Sequence, residues 1–99
     1  MYKYTIYVGR NTKKGTEQQR TICYATIVNI LLENNIKGAT LLDAIGVWEG
    51  KTEKSIQVIV YSNTCINKDI YNAIYTINTV LDQTCCLVET EKECNIQYL

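Results

Sequence analysis

Ninety-nine residues and 11.3 kDa hold one domain, because two separate cores would each fall below the size at which a chain folds unaided. Ten Lys and Arg balance ten Asp and Glu, which excludes the basic signature of a duplex nucleic-acid binder. Histidine is absent, so the commonest general base and metal ligand are both missing, and the expectation is of a chain that is not an enzyme.

The first segment, Tyr2 to Val8, alternates large β-formers with smaller polar residues and ends at Gly9, which reads as a strand. A charged loop follows, Arg10-Asn11-Thr12-Lys13-Lys14-Gly15, leading into Thr16-Glu17-Gln18-Gln19. That tetrapeptide has the spacing of a capping box, so a helix is predicted over Thr16 to Asn35, with Gly38 as its left-handed stop. Within it the apolar run from Ile22 to Leu32 is broken by Tyr24, Thr26 and Asn29. It is far short of the roughly 20 apolar residues a bilayer span needs. The start, Met1-Tyr2-Lys3-Tyr4, has no signal-peptide core. The expected location is the cytoplasm.

Ala39 to Trp48 carries Leu41, Leu42, Ile45 and Val47 in both phases and reads as a strand covered on both faces. A polar turn over residues 49–54 returns the chain into a strand from Ser55 to Tyr61. Asn67 is an N-cap for a second helix in which Ile70, Ala73, Ile74, Ile77, Val80 and Leu81 recur at helical spacing. Leu87 to Tyr98 reads as the last strand, with Glu89, Glu91 and Glu93 on one face as a charged edge against unwanted strand pairing.

The order β-α-β-β-α-β is the ferredoxin-like α+β arrangement, a four-stranded antiparallel sheet with two helices on one face. The other face is open in a monomer. Its bulky apolar residues are best covered by another copy, so a homo-oligomer, a trimer or built from dimers, is expected. The alternative is a wet aromatic surface. Five cysteines at irregular spacing, with Cys85 and Cys86 adjacent, support neither a disulfide framework nor a zinc site. No metal and no cofactor are expected.

Residues 1–20 hold Lys3, Arg10, Lys13, Lys14 and Arg20 against Glu17 alone. With backbone N–H groups at Thr16, Glu17 and Gln18 at the predicted helix start, this place suits a small anionic ligand. A solvated turn is the plainer reading. Trp48, beside Lys51 and Lys54, is a plate on which a purine base would stack, or a plug in an oligomer interface. Asp43 on an apolar strand is either paired with Arg or Lys across an interface or bonded to a ligand hydroxyl, and pairing is favoured. The candidate binding residues are therefore Arg10, Lys13, Lys14, Thr16, Arg20, Asp43, Trp48 and Lys54. No catalytic residue is nominated.

Gly38-Ala39-Thr40-Leu41-Leu42-Asp43-Ala44-x-Gly46-x-Trp48, with Tyr7-x-Gly9, Glu53-x-Ser55 and Cys94 around it, resembles a small ferredoxin-like bacterial family of unknown function sharing G-x-T-x-x-D-A-x-G-x-W. The order is more distantly similar to the PII signalling proteins, trimers that bind nucleotides or other small ligands between subunits. Heavy use of Ile, Asn, Thr, Lys and Tyr without Pro, His or Phe is typical of AT-rich coding sequence from a low-GC bacterium or its phage. A small phage oligomer without catalytic groups resembles the immune-evasion sponges that sequester nucleotide signals, cyclic ones among them, in the host cytoplasm. A protein–protein inhibitor or PII-like regulator docking on a host protein is the alternative.

Overall fold

The computed structural model describes residues 1–97. Its elements are β1 (Tyr2–Gly9), α1 (Arg20–Glu33), β2 (Thr40–Trp48), β3 (Lys51–Ser62), α2 (Asn67–Val80) and β4 (Leu87–Glu91). The expected ferredoxin-like order is present. The strands lie in the order β2-β3-β1-β4, every neighbouring pair antiparallel. The central pair supplies most of the sheet's buried face, because alternate residues point the same way. Tyr4, Ile6 and Val8 of β1 stand opposite Val60, Val58 and Ile56 of β3, and all are buried.

Cys23, Ile27, Ile30 and Leu31 of α1 and Ile70, Ala73 and Ile77 of α2 close over this face in one continuous core. Each large aliphatic side chain buried there contributes about 1.5–3 kcal/mol. The Tyr4 hydroxyl ties β1 to the start of α2, donating to Asn67 Oδ1 at 2.8 Å and accepting from the Ile66 N–H at 3.0 Å. Among the described residues no helix is long and apolar enough to cross a membrane.

Several boundaries differ from expectation. Helix α1 begins at Arg20, not at Thr16. The intervening segment folds back on itself: Asn11 bridges Glu17, the Thr12 N–H donates to Thr16 O at 2.8 Å and the Gln18 N–H to Arg10 O at 2.8 Å. Backbone pairing thus outcompetes the capping box, and residues 16–18 offer no helix N-terminus to an anion. The helix ends at Glu33, and the left-handed residue that stops it is Asn35, not Gly38. Asn35 takes the left-handed φ of 62°, its N–H donates to Leu32 O, and the Ile36 N–H donates to Leu31 O with Ile36 buried, the pattern of a Schellman cap.

Strand β3 starts four residues early, at Lys51, because the hairpin turns on Glu49 and Gly50 alone, at φ 49° and 77°. Two successive positive φ values match the twist of the flanking strands. Strand β2 is not covered on both faces. It is an edge strand, and its distal half extends beyond anything that packs on it: Ile45, Val47 and Trp48 are 71%, 69% and 78% exposed. Strand β4 ends at Glu91, so Glu93 is off the strand, while Tyr98 lies outside the described residues. All five cysteines are free.

Candidate functional site

The β1–α1 loop, the distal β2–β3 hairpin and the turn between α2 and β4 meet at one end of the sheet. Glu53 sits opposite Gly46 in the hairpin register, and its side chain reaches across to lie on the Cα of Gly9. A Cβ at position 9 would collide with Glu53 Oε1 and would stand 3.0 Å from Gln83 Oε1. Gly9 is thus a point on which these side chains converge, and a Cβ there would displace the exposed, flexible Glu53 carboxylate.

Gln83 follows Asp82, whose φ of 52° turns the chain out of α2. The Gln83 N–H donates to Asn78 O at 2.8 Å, and its side-chain amide donates to the carbonyls of Asn11 (2.7 Å) and Leu81 (3.1 Å). Two open recesses lie beside this point, of about 410 Å³ and 380 Å³. Asn11 and Glu53 line both. The first also takes in Lys13, Asp82, Gln83 and Cys85; the second is edged by Trp48 and Lys51. The Glu53 carboxylate has no hydrogen-bond or ion-pair partner among the described residues.

The nominated residues fall into separate places. Arg10, Arg20, Asp43 and Lys54 line one further groove, of about 440 Å³. Each charge in it is engaged: Arg10 donates twice to Gln18 O (3.2 and 3.0 Å), Arg20 binds Asp43 at 2.8 Å, and Lys54 approaches Glu17 at 3.5 Å. Asp43 also accepts from the Tyr24 hydroxyl at 2.7 Å. That bond, and then the Arg20 guanidinium, hold its carboxyl below the ordinary value of 3.8. Asp43 is therefore paired within the chain, by Arg20, and not across an interface as expected. Lys13 joins the first recess and lies 3.9 Å from Asp82, and Trp48 joins the second. Lys14 and Thr16 are exposed loop residues lining none of the three.

On the open sheet face the Tyr7 hydroxyl donates to Glu89 Oε1 at 3.0 Å and accepts from Gln57 at 3.4 Å. The bond to Glu89 leads in raising the Tyr7 pKa, because the phenolate would face the carboxylate. Among the described residues no three His, Cys, Asp or Glu side chains gather to hold a metal ion. Sequence reasoning missed Gly9, Asn11, Glu53 and Gln83 as site residues. Glu53 carried a faint signal in the Glu53-x-Ser55 run; Gln83 carried none.

No family model matches the chain, and no curated protein matches it. Solved structures do. A phage SAM lyase in complex with S-methyl-5'-thioadenosine superposes with a TM-score of 0.70 at 21% identity, over 92% of this chain and 80% of that one. A phage SAM lyase in the apo state gives 0.60 at 23% identity, over 91% and 78%. What is shared is the fold. A de novo designed protein, Foldit4, also matches, with a TM-score of 0.55 at 11% identity over 94% and 98%, so the architecture by itself names no chemistry. The lyase likeness nevertheless corrects the expectation of a chain that is not an enzyme. The same backbone arrangement carries a lyase, so a missing histidine is insufficient ground for setting catalysis aside.

Proposed function

We propose that this chain binds S-adenosylmethionine (SAM) in the paired recesses around Glu53 and cleaves its sulfonium. The observation that carries the reading is the unpartnered Glu53 carboxylate between two recesses, beside an exposed tryptophan. The likeness to a phage SAM lyase over 92% of the chain supports it. SAM brings an adenine, a sulfonium and an α-ammonium. Trp48 is placed to stack the base, an interaction worth about 1–3 kcal/mol, and Glu53 to meet the positive end.

The chemistry suits a protein without histidine. In the cleavage we propose, the substrate's own carboxylate attacks its γ-carbon and forms a C–O bond as the C–S bond breaks. The electron pair of the broken bond goes to sulfur. The products are S-methyl-5'-thioadenosine and a protonated aminolactone, and no proton is transferred. The protein's task is to hold the chain folded toward the γ-carbon and to keep water away while charge leaves the sulfur.

In this reading the exposed Ile45, Val47 and Trp48 on the hairpin and Leu42 and Leu87 on the open sheet face are covered by a second copy, so the active form is a homo-oligomer. A phage setting, supported by the origin of the lyases and by the AT-rich composition, gives the activity a role in countering host defence, by consuming a cofactor that host enzymes require. The test is to incubate the purified protein with SAM and follow both products by liquid chromatography and mass spectrometry. One thioadenosine per SAM consumed is expected, and Glu53→Ala should abolish it. SAM returned intact from a tight complex would replace cleavage with sequestration, and SAM neither bound nor consumed would refute the reading.

A further inference from the structure

Lys13 and Asp82 stand together on the wall of the first recess, and their backbones are tied: the Lys13 N–H donates to Asp82 O at 3.0 Å. Asp82 is fixed further by the left-handed φ of 52° with which the chain leaves α2. Their side chains are not spent on each other. Lys13 Nζ lies 3.9 Å from Asp82 Oδ1 and both groups are about half exposed, a spacing beyond hydrogen-bond reach at which an ion pair adds little to the fold. The wall thus carries one cation and one anion, side by side, each with its hydrogen-bonding capacity open to the recess. The two recesses also differ in kind. The second is edged by Trp48 and Val47, which suit a flat ring, whereas the first has Thr12 and Gln83 around the charged pair. Asn11 and Glu53 line both and so join them.

We propose that Lys13 and Asp82 form a subsite for a zwitterionic α-amino acid group, Asp82 taking the ammonium and Lys13 the carboxylate. An α-amino acid bears its two opposite charges on a single carbon. Laid head to tail against the wall, it closes a ring of four charges of alternating sign, joined by charge-assisted hydrogen bonds. A ligand with only one of the two charges leaves a wall residue unmatched. The inference rests on the reading that the recesses take an adenosyl ligand and deepens it, because it fixes the ligand's direction: base on Trp48, sulfonium beside Glu53, amino acid on Lys13 and Asp82. Lys13 engages one carboxylate oxygen and leaves the other to attack the γ-carbon. Cleavage then dissolves the match, since S-methyl-5'-thioadenosine carries neither charge and the aminolactone keeps only the ammonium.

The test uses four ligands without a sulfonium to cleave: S-adenosylhomocysteine, its decarboxylated counterpart, its deaminated counterpart and S-methyl-5'-thioadenosine. Affinities are measured by titration calorimetry for the intact chain, Lys13→Met and Asp82→Asn, with folding of both variants checked by thermal melting. Asparagine accepts a left-handed φ, so Asp82→Asn keeps the turn. The intact chain should lose at least about tenfold in affinity when either charged group is taken from the ligand. In Lys13→Met the loss for the missing carboxylate should shrink to within about twofold while the loss for the missing amine persists, and Asp82→Asn should show the reverse. A pair that served the fold alone would move all four ligands alike. Equal affinities in the intact chain, or a uniform shift in the variants, overturn the zwitterion subsite and leave the adenosyl reading standing. Failure of all four ligands to bind overturns both together.

Discussion

Replacing Tyr4 with Phe should destabilise the protein through a single oxygen. Tyr4 is fully buried, and its hydroxyl is the only part of the ring that changes. That oxygen donates to Asn67 Oδ1 and accepts from the Ile66 N–H, so its removal orphans one acceptor and one backbone donor at the start of α2. A hydrogen bond contributes about 1 kcal/mol net, and an orphaned buried partner costs about 1–3 kcal/mol. Both partners are only partly buried, so water recovers some of the loss and about 2 kcal/mol is expected. For a domain of this size that lowers Tm by roughly 8–16 °C. Thermal unfolding followed by circular dichroism reads the shift, and a double-mutant cycle with Asn67→Ala isolates the pair. A loss below about 0.5 kcal/mol, the scale of ordinary surface substitutions, with no coupling to Asn67 would show that the hydroxyl does not join β1 to α2.

Other expectations are equally direct. Because Tyr24 and Arg20 lower the Asp43 pKa in the folded state, its stabilising contribution is complete above the ordinary value of 3.8 and is lost as pH falls through the lower folded value. Acid unfolding of Asp43→Asn should lack that part of the pH dependence, and coincident acid limbs would show that the cluster does not form. The Cys86 thiol is pushed up to about 11, chiefly by burial, so at pH 8 only about one molecule in a thousand carries the thiolate. Alkylation followed by peptide mapping should mark exposed Cys85 well before Cys86, and equal labelling would refute this. Glu49 holds a left-handed φ in the two-residue turn, where Asn is better accommodated. Glu49→Asn should therefore raise stability by about 0.5–1 kcal/mol in chemical denaturation, and a decrease would refute the turn assignment.

The fold was legible where pattern and packing agree. Ile70, Ala73 and Ile77 mark the buried face of α2 because a helix with one apolar face has one way to dock. The start of α1 was illegible because Thr16 and Gln19 satisfy a capping rule, whereas the pairing of Asn11 with Glu17 depends on backbone groups that every residue possesses. The early start of β3 was hidden in Lys51-Thr52-Glu53-Lys54, since an arm that buries nothing leaves no hydrophobic alternation to read. The charges that were legible, Arg10, Arg20, Asp43 and Lys54, do share a groove, but their partners occupy them. The recess itself was invisible for a different reason. Its lining, with Asn11, Glu53 and Gln83 in it, is assembled from three segments far apart in the chain.

The overhanging hairpin separates two kinds of constraint. Its outer residues, from Ile45 to Glu53, form the rim of the recess yet support no core, so exchanging them costs the fold little. Gln83 is set into the folded frame, where its amide holds the Asn11 and Leu81 carbonyls and a change is felt at once. Descendants of such a chain can remodel the rim apart from Trp48 and Glu53, acquiring new ligand preferences or escaping an inhibitor that grips it, while the frame beneath stays as it is. Variation among relatives should therefore concentrate along the hairpin outside Trp48 and Glu53, while Gln83 stays.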